Sequence, residues 1–203
     1  MATTSDDTHV AGADRARALI GHLSEYNRLL AVLEAQPGVV VLAADPFSGT
    51  TGIVRQLLPE LATPAVYADA RGILDELDLG MAIADAAVAT LRPAAAAWWT
   101  GAAPTTDLEG LRLHRTLSHQ GVDIEAVRAG TGTGPHVLDI ALELTCELAG
   151  GPVVLALDHL DGVTGGPPRS TGDPLATLRA AAQRLPGLQL LLIGHPAGPL
   201  ERA

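Results

Sequence analysis

Four short runs of apolar residues limit what this chain can fold into: "GVVVLAAD" at 38–45, "AVYADA" at 65–70, "PVVLALD" at 152–158 and "LQLLLIG" at 188–194. Apolar character that continues without polar alternation marks strands covered on both faces, as in a parallel sheet. The intervening segments 74–91, 107–118, 136–149 and 174–184 carry apolar residues at i, i+3 and i+4, several with Pro or Gly at their ends, and read as helices. Another helix is predicted over 13–35, with Ala16, Leu19, Ile20, Leu23, Leu29, Leu30 and Leu33 near one stripe before "QPG" stops it. Strands alternating with helices give an α/β protein, a three-layer α/β/α arrangement around a mostly parallel sheet of four to five strands. Residues 1–12 are polar, without periodicity, and are expected to be disordered, leaving 13–203 as a single domain. The stretches "RPAAAAWWTGAAPTTD" and "RAGTGTGPH" read as connections, with Trp98 and Trp99 covering an apolar seam.

Composition narrows the function classes. The chain has 203 residues, 47% of them hydrophobic but only five aromatic, so its core rests on small aliphatic side chains and base-stacking surfaces are not expected. Twenty-three acidic against thirteen basic residues give a formal charge of −10, which opposes binding to a nucleic-acid backbone. All thirteen basic residues are arginine, so no lysine is there to reach a phosphate. The lone Cys146 lies in an apolar pattern and reads as a buried thiol, excluding a disulfide framework. No segment reaches the roughly 18 uninterrupted apolar residues of a membrane span, and a cytoplasmic location is expected.

The first strand runs into a Gly/Ser-containing turn that opens the helix "TTGIVRQLLPEL". This is the setting of a phosphate-binding loop, where amides at a helix start converge on an anion. Laid on the pattern G-x-x-x-x-G-K-[ST], residues 44–51 read Ala44, Asp45, Pro46, Phe47, Ser48, Gly49, Thr50 and Thr51. The second glycine and the final hydroxyl are kept. The first glycine and the lysine are not. About a hundred residues later "PVVLALDHLD" has the form of a magnesium-organising strand ending in Asp158. His159 and His195 would close adjacent strands beside Asp158 and Asp161, a conceivable metal-ligand set.

Taken together, "GVVVLAADPFSGTTGIVRQLLPEL", "AVYADARGILDELDLGMAIADAAVATL", "PVVLALDHLDGV" and "LQLLLIGH" resemble the AAA+/STAND branch of P-loop NTPases, in particular archaeal-type ATPases related to origin-recognition proteins. The resemblance covers most of the chain from about residue 13. It implies a strand order 5-1-4-3-2 and a nucleotide site at Asp45, Pro46, Phe47, Ser48, Gly49, Thr50, Thr51, Asp158, His159 and His195. Thr51 and Asp158 would hold Mg2+, and His195 would take the sensor position. The second strand of such proteins ends in an aromatic-x-acid-x-Arg phrase, matched by Tyr67, Asp69 and Arg71.

The departures from the pattern fall on the hydrolytic parts. Thr50 replaces the lysine, His159 stands where a glutamate would polarise water, and the fifth strand and helical lid are missing from the pattern. Asp45 adds a negative charge to the loop. Phosphoryl transfer depends on positioning and charge stabilisation, so no catalytic residue is assigned. The expectation is a pseudo-ATPase acting through a protein partner or as a homo-oligomer, with ATP/ADP and Mg2+ bound weakly or not at all. A nucleotide-binding switch or weak ATPase is the alternative, and DNA binding is disfavoured by the charge. With no fifth strand, the phosphate-loop strand would stand at a sheet edge and call for cover from another chain.

Overall fold

The computed structural model describes residues 23–35, 38–45, 48–73, 75–102, 134–161 and 173–195, with single positions at 110, 114, 115, 118, 125, 127 and 163. Its elements in chain order are α1 (Leu23–Ala35), β1 (Val39–Ala43), α2 (Thr50–Leu57), a 3-10 turn (Leu58–Glu60), β2 (Ala65–Asp69), α3 (Glu76–Leu91), a 3-10 turn (Pro93–Ala95), α4 (Ala96–Trp99), α5 (Gly134–Ala149), β3 (Val153–Asp158), α6 (Pro174–Arg184) and β4 (Leu188–Gly194). All four expected strands are present. They form one parallel sheet in the order β1-β4-β3-β2. This is an α/β fold with helices on both faces. Expected elements at 1–22, and most of the helix expected at 107–118, lie outside the described residues.

Helix starts are set by local chemistry. The Asp75 carboxylate accepts the Asp78 amide at 2.9 Å and caps α3, and Asp173 caps α6 through the amides of Leu175 and Ala176, with Pro174 in the first turn. The core divides between the two faces of the sheet. On one face α3, α5 and α6 pack over Leu155, Leu157, Leu190 and Leu192. On the other, α1 and α2 bring Tyr26, Leu29, Leu33, Val54 and Leu57 onto Val154, Ala156, Leu191 and Ile193. Trp98 and Trp99 are buried against the first face, as the apolar-seam reading expects, and the Trp99 indole donates to Asp85 at 2.7 Å. The connection around them contains a short helix in place of irregular chain. Cys146 is half-buried and not, as expected, fully buried; burial, with the charges of Glu147 and Glu143, pushes its thiol up to about 11, which disfavours the thiolate.

Two expectations need correction. Leu23, placed on the apolar stripe of the first helix, is 59% exposed, and Tyr26 takes its place in the core. The strand β1 is not covered on both faces. Val40 and Leu42 pack toward α1 and α2, but Val39 and Val41 on the opposite face are each 38% exposed. The physical reason is the strand order. Among the described residues β1 and β2 are the edge strands; the helices of the other layer cover β4 and β3, and β2 too keeps a less buried face at Ala65, Tyr67 and Asp69.

Glu76, in the first turn of α3, is 0% exposed. Its Oε1 accepts the Thr177 hydroxyl of α6 at 3.0 Å, and its Oε2 is buried without a hydrogen-bond partner. Burial raises the carboxyl pKa above the ordinary glutamate value; the Thr177 hydroxyl opposes this, and the charges of Asp173 and Asp75 add to it. The folded protein therefore holds this proton more tightly than the unfolded chain. The resulting stability is full below the unfolded pKa and is lost as pH rises through the folded one. Glu76→Gln is expected to melt at a higher temperature than the parent at pH 7 and to show a flatter stability profile between acid and neutral pH. Thermal melts across that range check it, and a lower melting temperature at pH 7 would overturn the assignment.

Candidate functional site

The carboxyl ends of the parallel strands converge on one cleft, where open α/β sheets place their ligands. Register puts Asp69 of β2 directly beside Asp158 of β3, and Ala43 of β1 beside Gly194 of β4. The cleft is a cavity of about 610 Å³, within the range of roughly 300–1,000 Å³ usual for small-molecule sites. Eight of the ten residues expected for the nucleotide site line it, Asp45, Ser48, Gly49, Thr50, Thr51, Asp158, His159 and His195, together with Arg71 and Asp161. Pro46 and Phe47 lie outside the described residues.

The loop is built for a helix start that opens toward the cavity. The Ser48 amide donates to the Asp45 carbonyl at 3.1 Å, closing the turn. Gly49 then adopts φ 79°, a left-handed conformation that favours glycine, and leads into α2 without a side-chain cap. The Ile53 amide bonds to the Gly49 carbonyl, so the amides of the first turn before it have no intrahelical acceptor. At the position of the lysine, the Thr50 hydroxyl is paired with Ser48 at 2.8 Å. The Asp45 side chain is exposed, with His195 Nε2 4.0 Å from its Oδ1.

Asp158 joins the two halves of the motif. It is 3% exposed. Its Oδ2 accepts the hydroxyls of Thr51 at 2.7 Å and Tyr67 at 2.8 Å, and its Oδ1 accepts the His159 amide at 2.9 Å. Burial, reinforced by the bond to Asp158, pushes the Tyr67 phenol up to about 12, so it stays protonated and remains the donor. The Arg55 guanidinium covers the Tyr67 ring at 4.5 Å. A hydroxyl and one carboxylate at this spacing suit Mg2+, which takes oxygen ligands and usually arrives with phosphates and water. Among the described residues no group of three His, Cys, Asp or Glu side chains could hold a metal. His159, His195, Asp158 and Asp161 all border the cavity but do not form a metal-ligand group: His159 Nδ1 lies 3.0 Å from Asp69 and 3.6 Å from Asp158, its Nε2 faces Arg71, and Asp161 accepts the His195 backbone amide at 2.8 Å.

The sequence resemblance gives Tyr67, Asp69 and Arg71 a phrase but no role, and the structure brings all three to the site. Asp69 Oδ1 accepts both the Arg71 amide and His159 Nδ1, each at 3.0 Å, while Arg71 Nη2 lies 3.0 Å from His159 Nε2. Arginine is only a donor, so Nε2 must offer its lone pair and the imidazole proton must reside on Nδ1. His159 is also the one non-glycine residue with positive φ, 60°, among the described residues. A left-handed histidine costs on the order of 1 kcal/mol, and the interactions of its amide and both ring nitrogens hold it there. The signal available beforehand was the position of these residues at the end of a strand; their convergence depended on β2 pairing with β3.

No family model matches the chain, and no curated protein matches it. The site's chemistry stands on its geometry. No single helix among the described residues is long and apolar enough to cross a membrane.

Proposed function

We propose that this chain is a degenerate P-loop ATPase-like protein of the AAA+/STAND kind, which keeps a site for the phosphates of ATP or ADP with Mg2+ but not the groups for turnover. It acts as a regulatory or scaffolding subunit through protein contacts. The observation that carries the reading is the 2.7 Å bond between Thr51 at the start of α2 and the buried Asp158 at the end of β3, across the mouth of an uncapped helix. Two features argue against turnover. Thr50 brings no positive charge, and the Nε2 of His159, its one basic position, is engaged by Arg71. Calorimetry with ATP, ADP and GTP in the presence of Mg2+ is expected to give binding without steady phosphate release. No heat for any of the three would remove the phosphate site, and phosphate release abolished by Asp158→Ala would make the protein an ATPase.

Support for a partner comes from β1. Gly38 and Ala44 bond to β4, so by the alternation of a parallel ladder the backbone groups of Val39, Val41 and Ala43 point away from it. The same residues carry the exposed face of the strand. No strand among the described residues meets these groups, and an edge of this kind, with apolar side chains beside it, is a surface for strand addition, by a second copy or another protein. Light scattering is expected to show self-association or, with the right partner, a complex. A stable monomer across micromolar concentrations, with slow hydrogen exchange throughout 39–44, would remove the argument.

A further inference from the structure

We infer that Arg71 is the phosphate-binding cation of the cleft and that His159 is its positioning residue, so that the two departures from the P-loop pattern compensate one another. The inference rests on the phosphate-site reading above and assigns the charge that reading lacks. A phosphate cradle needs a cation beside its amides, and the chain contains no lysine. Arg71 is the one arginine among the described residues lining the cavity. Its side chain is exposed, so the guanidinium is accessible to a ligand. One of its nitrogens is taken up by His159 Nε2. The rest of the guanidinium fork can form two parallel charge-assisted bonds to a phosphate, a geometry a lysine does not offer.

Its placement is built from behind. Asp69 accepts the Arg71 amide and orients the imidazole through Nδ1, and the imidazole presents Nε2 to the guanidinium. The left-handed backbone of His159, with its amide on Asp158 Oδ1, fixes the ring beside Asp69. A glutamate at this position could polarise water; a histidine held by Asp69 on one nitrogen is instead an acceptor for arginine. Fixed in this way, the guanidinium loses less freedom on meeting an anion than a free arginine would. The ligand class is the phosphate portion of a nucleotide. Adenosine lacks the phosphates that Arg71 is inferred to bind.

Calorimetry with ATP·Mg2+, inorganic pyrophosphate with Mg2+, and adenosine tests this on the full chain and its Arg71→Met, Arg71→Lys and His159→Asn variants. Asparagine tolerates the left-handed backbone of His159 but cannot reach Arg71. Arg71→Met is expected to weaken ATP and pyrophosphate binding by about tenfold or more, as loss of a charge-assisted bidentate contact should, with no effect on adenosine. Arg71→Lys recovers part of the loss. His159→Asn weakens binding by a smaller factor, and long-range 15N spectra of the parent show the Nδ1-protonated imidazole. ATP binding that Arg71→Met leaves intact overturns the role of Arg71 alone, and a His159→Asn chain with parental affinity overturns the positioning role. No heat from either the parent or a Thr50→Lys chain removes the phosphate site and this inference with it.

Discussion

The Thr50→Lys chain is expected to bind ATP·Mg2+ more tightly than the parent by about 10- to 100-fold, the equivalent of a hydrogen bond to a charged group at roughly 1.5–3 kcal/mol. Thr50 opens α2 and lines the cleft, so a lysine there starts from the helix end whose amides face the phosphate. The threonine hydroxyl is spent on Ser48, and its loss leaves a half-buried serine at the lining of the open cleft, where water can satisfy it. The same substitution places a positive charge at a helix N-terminus, where the macrodipole opposes it by about 0.3–1 kcal/mol. Without nucleotide the variant should therefore melt slightly below the parent, and with ATP·Mg2+ above it. Titration calorimetry and ligand-dependent melts check both signs. An unchanged affinity would mean that the loop does not present its amides to a phosphate.

Gly80→Ala is expected to destabilise the fold by about 1–3 kcal/mol, the usual cost of overpacking a core, and to lower the melting temperature by several degrees. Gly80 is buried where α3 crosses α5, the most extensively packed pair of elements among the described residues. A Cβ there would lie 2.9 Å from the Cα and N of Leu138 and 3.0 Å from the carbonyl carbon of Val137. These are backbone atoms, so the helices must separate along their length. Helix propensity alone predicts the opposite, because alanine exceeds glycine by about 1 kcal/mol in a helix interior. Gly52, within α2, has nothing within 4 Å of such a Cβ. Gly52→Ala thus serves as the control: it should stabilise, while Gly80→Ala destabilises. Two variants shifting the same way in thermal melts would show that propensity, and not the α3–α5 approach, decides.

The local chemistry of the chain determined the elements. Short continuous apolar runs at 39–43, 65–69, 153–158 and 188–194 read as strands, and the i, i+3, i+4 spacing between them admits helices, so the class of fold was legible without tertiary information. The loop was legible for the same reason. Gly49 permits the left-handed turn that opens α2, and Asp158 closes a strand, so each announces its position locally.

Tertiary pairing decided what these elements expose and which side chains meet. The run at 39–43 reads as buried on both faces, yet Val39 and Val41 stand at the surface because a strand's burial depends on its neighbours, and β1 has a strand on one side among the described residues. Tyr67, Asp69 and Arg71 lie about ninety positions from Asp158 and His159. Hydrogen bonding between β2 and β3 in one register brings Asp69 level with Asp158, and a shift of one residue would turn Asp69 to the other face. The orientation of the His159 ring depends on that pairing, since the carboxylate of Asp69 at the end of β2 and the guanidinium of Arg71 just after it meet its two nitrogens. Local sequence could fix the backbone of each segment; the charge and orientation of the site belong to contacts across strands, which form only when the sheet does.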